Sequence, residues 1–124
     1  MSSFLKSFSY AFKGITSALK QRNMKIIFTC AILTIVVALG FGVTNKEWCI
    51  LLICIGAVIS LEMMNCAIEG IVDLVHPQHG EKAGRIKDIS AGAVLIFSII
   101  SFIIGLIILG KYFFMLFFTF YLKF

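Results

Sequence analysis

The chain has 124 residues, 60% of them hydrophobic and 14% charged, with a net charge of +5. A mean hydropathy of +1.05 excludes an ordinary soluble domain, and the apolar runs leave almost no chain from which to build one. The predicted fold is an all-α integral membrane protein, a single unit over residues 1–124 with three transmembrane helices preceded by an amphipathic surface helix; no nucleic-acid partner is expected.

The surface helix is predicted at about residues 4–23. Phe4, Phe8, Phe12, Ile15 and Leu19 follow one another at spacings of four, four, three and four, along one helical face. Lys6, Lys13 and Lys20 recur every seven residues on the opposite face. Large apolar residues opposite lysines suit a helix lying on a leaflet that carries anionic lipid. Tyr10, Ser17 and Gln21 share a flank, which would turn them toward a common polar site. Positive charge is spread over residues 6–25 with no small-residue cleavage site close behind the first apolar run. The segment therefore reads as part of the mature protein rather than a signal peptide.

Spans are predicted at about residues 26–43, 48–75 and 89–109, long enough to cross a hydrocarbon core about 30 Å thick. Cys30, Cys54 and Cys66 sit inside apolar pattern and Cys49 at its edge; with no metal or disulfide spacing they read as packing residues. Gly56 and Ser60, and the run Ala91-Gly92-Ala93, are small enough to let helix backbones approach. The stretch Tyr112 to Tyr121 is too short for a fourth span. It is expected to extend the third helix or to lie in the outer interface, where aromatic rings are favoured.

Basic residues set the orientation. Lys6, Lys13, Lys20, Arg22 and Lys25 precede the first span, only Lys46 lies in the next loop, Lys82, Arg85 and Lys87 precede the third span, and Lys111 and Lys123 follow it. This rich, poor, rich, poor alternation places the N-terminus and the second loop in the cytoplasm and the C-terminus outside.

The second span carries an uncommon polar face. Glu62, Asn65, Glu69 and Asp73 fall within an arc of roughly 80° at about 100° per residue. An acid inside a span costs about 2.5–3.5 kcal/mol on insertion scales, so a cluster of them marks a functional site. Counting from Trp48 at about 1.5 Å per residue, Glu62 lies about 20 Å deep and Glu69 about 30 Å, at the cytoplasmic boundary. A ladder from the inner half of the bilayer to the surface suits a reaction between an embedded group and a soluble one better than ion transport. Arg85-Ile86-Lys87-Asp88 adds charges able to meet phosphate and, with Glu, to hold Mg²⁺ between phosphate oxygens. Arg85 and Lys87 also read as positive-inside anchors, and Asp88 as a cap on the third helix. His76 and His79 flank Pro77 and read as ordinary loop residues. No Gly-x-x-x-x-Gly-Lys loop is present, so a nucleotide site would not be of that kind. Three helices leave much of the polar face uncovered, so another subunit is expected to complete it.

These residues resemble the prokaryotic diacylglycerol kinase family, which includes the undecaprenol kinases. The resemblance runs from Tyr10-Ala11-Phe12-Lys13-Gly14 to Leu95. Its most specific parts are Glu62-Met63-Met64-Asn65-Cys66-Ala67-Ile68-Glu69 with Val72-Asp73, and Arg85-Ile86-Lys87-Asp88 followed by Ala91-Gly92-Ala93-Val94-Leu95. The last five residues are more similar to the undecaprenol kinase branch. The resemblance implies a homotrimer with active sites shared between subunits, Mg²⁺-ATP as phosphoryl donor and a membrane lipid alcohol as acceptor. It implies Glu62 as general base and Asn65 as the residue that positions the lipid hydroxyl. Glu69 would bind Mg²⁺ and the nucleotide, Tyr10, Lys87 and Asp88 would contact ATP, and Asp73 would support the site structurally. One position departs from the pattern. The family carries a Glu before an Arg-Asn pair, as a second metal ligand; here Gln21 precedes Arg22-Asn23, and an amide offers Mg²⁺ an oxygen without the charge.

The expected function is ATP-dependent phosphorylation of undecaprenol or diacylglycerol. The alternatives are a small ion-coupled transporter and a non-catalytic member of the family.

Overall fold

The computed structural model describes residues 2–123, which form four helices. They are α1 (Ser3–Ala18), α2 (Arg22–Phe41), α3 (Asn45–Val75) and α4 (Glu81–Leu122). Helices α2, α3 and α4 are long and apolar enough to cross a membrane. Their outward surfaces are apolar, as at Leu33, Ile53, Phe102 and Ile107, which suits lipid rather than water.

The helix ends follow from local chemistry. Gly42 closes α2 in the left-handed conformation, with φ of 64°, which costs a glycine little. Thr44 then caps α3 in a reciprocal box. The Glu47 backbone N–H donates to Thr44 Oγ1 at 3.3 Å, and the Thr44 N–H donates to Glu47 Oε2 at 2.9 Å. Glu47 also accepts from Lys111 Nζ, and from the Tyr112 hydroxyl at 2.7 Å, which ties this turn to α4. The densest apolar packing lies beside it. Ala38, Val43, Leu51 and Ile108 are buried, with Phe41, Trp48, Ile104 and Leu109 around them. The Phe41 ring stacks on Tyr112 at 5.6 Å and meets the Phe113 ring edge-on at 4.8 Å. This end of the bundle is the apolar lock, and the polar face of α3 occupies the other.

Several expectations change. The surface helix stops at Ala18, and residues 19–21 turn the chain into α2, which already includes Arg22 and Asn23. Helix α4 begins at Glu81 with Gly80 as its cap residue, so Arg85, Lys87 and Asp88 stand on its first turns and Asp88 is not a cap. Positive charges signal a membrane boundary whether the backbone there is loop or helix. At its other end α4 continues without interruption to Leu122, so the aromatic tail extends the third helix, one of the two places expected for it. The small residues do not join helices within the chain. A Cβ at Gly56 or Gly92 would meet nothing within 4 Å, and Ser60, Ala91 and Ala93 are exposed.

Candidate active site on the polar face of α3

Glu62 and Asn65 are each 3% exposed, the two buried polar residues among those described. What covers them is the corner between α1 and α2. Ala18 and Met24 are buried there, Met24 at 1%, and the Asn23 side chain lies close to the Glu62 carboxylate. The inner half of the polar face is thus enclosed within one chain. Further along, Glu69 is half-buried and Asp73 exposed. The four residues grade from enclosed to open over about 16 Å of helix at 1.5 Å per residue.

Asn65 Nδ2 donates to Glu69 Oε1 at 3.3 Å. Asn65 Oδ1 is buried and has no partner among the described residues. A buried acceptor left unmet costs about 1–3 kcal/mol, and a hydroxyl or another donor at Asn65 Oδ1 would remove that cost. Glu62 lies one turn away on the same helical face, in position to take a proton from a group held by Asn65.

Beyond Glu69, Lys87 of α4 is ion-paired with Asp73 of α3. Arg85 pairs with Glu81 at 3.4 Å, with both side chains largely in water, so that pair contributes little. Glu62, Asn65 and Glu69 are therefore brought together, with Asp73 and Lys87 at the open end. Tyr10, Gln21 and Asp88 are not joined to them by any hydrogen bond among the described residues. Tyr10 is 66% exposed and has Lys13 Nζ at 5.8 Å from its ring centroid. Gln21 is exposed at the start of α2, its side chain making no capping bond. Asp88 is exposed.

Among the described residues no three His, Cys, Asp or Glu side chains cluster to hold a metal ion. The donors still fit Mg²⁺, which is bound through one or two carboxylates together with substrate phosphates rather than in an all-protein cage. Glu69, with one oxygen engaged by Asn65, is the carboxylate placed to serve. Asn23 is the site residue that was missed. Its signal lies in the Arg22-Asn23 pair directly before the first span, read as a marker of position 21 and not as a contributor.

Comparison with known proteins places this geometry. The family described as prokaryotic diacylglycerol kinase matches residues 9–109. An undecaprenol kinase of Bacillus subtilis is 40% identical over 106 residues, covering 85% of this chain and 86% of its own. A diacylglycerol kinase of Escherichia coli K12 is 29% identical over 110 residues, covering 88% and 90%. A diacylglycerol kinase of Synechocystis is 34% identical, covering 82% of this chain and 59% of its own. The higher identity to the undecaprenol kinase agrees with the Ala91-Gly92-Ala93-Val94-Leu95 signature. The matched span contains every residue of the polar face together with its covering corner, and the chain belongs to the prokaryotic diacylglycerol kinase family, a family of lipid kinases.

Proposed function

We propose that the chain transfers the γ-phosphoryl group of ATP to the hydroxyl of a membrane lipid alcohol at the cytoplasmic face, with undecaprenol ahead of diacylglycerol as acceptor. The whole chain would act as one catalytic unit. The observation that carries this reading is the enclosed Glu62–Asn65 pair, whose open acceptor sits inside a membrane-spanning helix and grades outward to charges in water.

In this reading the lipid hydroxyl meets Asn65 Oδ1 and gives up its proton to Glu62. Its oxygen attacks the γ-phosphorus of ATP while the bond to the ADP oxygen breaks, yielding lipid phosphate and ADP. Glu69 would hold Mg²⁺, with Gln21 as a weakened second ligand. Bound Mg²⁺ neutralises phosphate charge, the main demand of phosphoryl transfer apart from positioning. Lys87, kept over α3 by Asp73, faces the phosphates from α4, and Asp88 and Tyr10 complete the nucleotide contacts.

A groove supports an acceptor with a long apolar tail. A cavity of about 620 Å³ lies between α2, α3 and α4, lined by residues that include Cys30, Thr34, Cys54, Val58 and Phe102. Val58 is one turn deeper than Glu62 on the same face. Along α4 the lining runs from Ser98 to Phe113, about 22 Å at 1.5 Å per residue. The homotrimer is supported by the far side of α3. Ile53, Gly56, Ser60, Ala67 and Gly70 are exposed there at the alternating spacing of a left-handed helix seam. Gln21 favours one second reading, a member that keeps the fold and lacks turnover.

The test is the purified protein with labelled ATP and separate vesicles of undecaprenol, diacylglycerol and ceramide. Label is expected in the lipid extract, most of it with undecaprenol. Label in none of the three lipids contradicts the reading.

A further inference from the structure

The cavity between α2, α3 and α4 reaches Val58, one turn from Glu62. Its α3 wall is Leu51, Cys54, Ile55 and Val58, which share an arc of about 100° with Glu62 and Asn65. A lipid whose hydroxyl rests on Asn65 therefore has the groove next along the same face. The facing wall on α4 is built from small residues. Ser98, Ser101 and Gly105 recur at spacings of three and four and line the cavity, while Ile99 and Ile103 beside them are exposed. A glycine inside a helix is less favourable than alanine, and no close neighbour demands one here. A Cβ on Gly105 would meet nothing within 4 Å; the space left open is the groove. Ser101 adds a second observation. Its hydroxyl is buried and has no partner among the described residues. A helical serine or threonine can turn its hydroxyl to the carbonyl one turn back, as Thr34 in the same groove does to Cys30 at 2.8 Å. Ser101 does not.

We propose that Ser101 and Gly105 set acceptor specificity through the lipid tail. Gly105 leaves room for a chain that reaches past the bilayer middle, and the Ser101 hydroxyl donates to the π face of one of its double bonds. Depth identifies that acceptor. Counted from Ile89, where the third span is predicted to begin, Ser101 lies about 18 Å and Gly105 about 24 Å along α4, in a hydrocarbon core about 30 Å thick. Glycerolipid esters stay at the interface, so near the middle a lipid has only double bonds to offer a hydroxyl donor. The class selected is a long polyprenol over a saturated alcohol of equal length and over a short prenol. Continuity with the Glu62–Asn65 pair commits the groove to the tail of the reacting lipid. The proposal rests on the lipid kinase reading and adds to it the part of the acceptor that is recognised.

The experiment compares the parent protein with Gly105→Phe and Ser101→Ala in vesicles, with undecaprenol, fully hydrogenated undecaprenol and geraniol as acceptors. For Gly105→Phe the ratio of kcat/KM for undecaprenol over geraniol is expected to fall about 10-fold. For Ser101→Ala the ratio for undecaprenol over its hydrogenated form is expected to fall about 2- to 5-fold, the worth of one weak hydrogen bond. Should Gly105→Phe fail to fold, Ser101→Leu obstructs the groove from the same face and is read by the first ratio. Geranylgeraniol bearing a diazirine at its tail end, applied without ATP, is expected to label α4 in the parent and much less in Gly105→Phe. That readout needs no phosphoryl transfer, so labelling without kinase activity would overturn the kinase reading and keep the tail site. Unchanged ratios in both variants, or labelling that Gly105→Phe does not reduce, would show a groove filled by bilayer lipid or a second copy and overturn the proposal.

Discussion

Lys87, on the second turn of α4, is ion-paired with Asp73, near the end of α3. The pair stands at the open end of the carboxylate face, and in the proposed function Asp73 holds a lysine toward the nucleotide. The Lys87 side chain is 35% exposed and that of Asp73 64%, so as a stabilising contact the pair is worth at most about 1 kcal/mol. Its value in this account is positional. Asp73→Asn is expected to raise the KM for ATP while leaving thermal unfolding in detergent almost unchanged. Lys87→Met should raise that KM further, and Lys87→Arg should recover much of the loss. A large fall in stability with KM unaltered would make the pair structural only.

Asn65 stands on one helical face between Glu62, the proposed base, and Glu69, the proposed metal ligand, and donates to Glu69 at 3.3 Å. Asn65→Ala removes a hydrogen bond to a charged group, worth about 1.5–3 kcal/mol. The corresponding loss in kcat/KM is about 10- to 150-fold. Asn65→Asp is expected to be worse, because it sets a third carboxylate between Glu62 and Glu69 in an enclosed place. Steady-state kinetics with the lipid in vesicles decides, and an Asp variant more active than the Ala variant would contradict the argument.

Gln21→Glu restores a negative charge at the position where the family pattern has one. It is expected to lower the Mg²⁺ concentration that gives half-maximal phosphorylation and to raise turnover. A titration of activity against Mg²⁺ that does not shift would show that position 21 is no ligand in this protein.

The apolar lock lies at the opposite end from the chemistry, so its loss should be felt in stability alone. Thr44→Ala removes an N-cap and is expected to cost about 1 kcal/mol. Glu47→Ala loses its share of the capping box, the Lys111 pair and the Tyr112 bond together, and should lower the unfolding temperature more. Activity per folded molecule is expected to stay level for both, measured by calorimetry beside the lipid phosphorylation assay.

The bundle was legible wherever uncharged runs carried the information. Residues 26–43 and 48–75 were expected as spans, and α2 and α3 run over Arg22–Phe41 and Asn45–Val75. The start of α4 was not legible, because Lys82, Arg85 and Lys87 signal the membrane boundary whether the backbone there is loop or helix. The ladder from Glu62 to Asp73 could be read from helical period alone. Its enclosure could not, since it depends on the angle at which the α1–α2 corner lies over α3, a tertiary property that brings Asn23 to Glu62. The Asp73–Lys87 pair was hidden for the same reason. It needs α3 and α4 aligned across the link at residues 76–80, and each residue alone had a plausible separate role.

The central claim is that Glu62 takes the proton from a lipid hydroxyl. The most direct measurement is transfer of labelled phosphate from ATP to undecaprenol in vesicles by the parent protein and by Glu62→Gln, which keeps the size of the side chain. The account predicts lipid-dependent labelling by the parent, and its near-complete loss in the variant with ATP binding retained. Undiminished labelling by Glu62→Gln would contradict it.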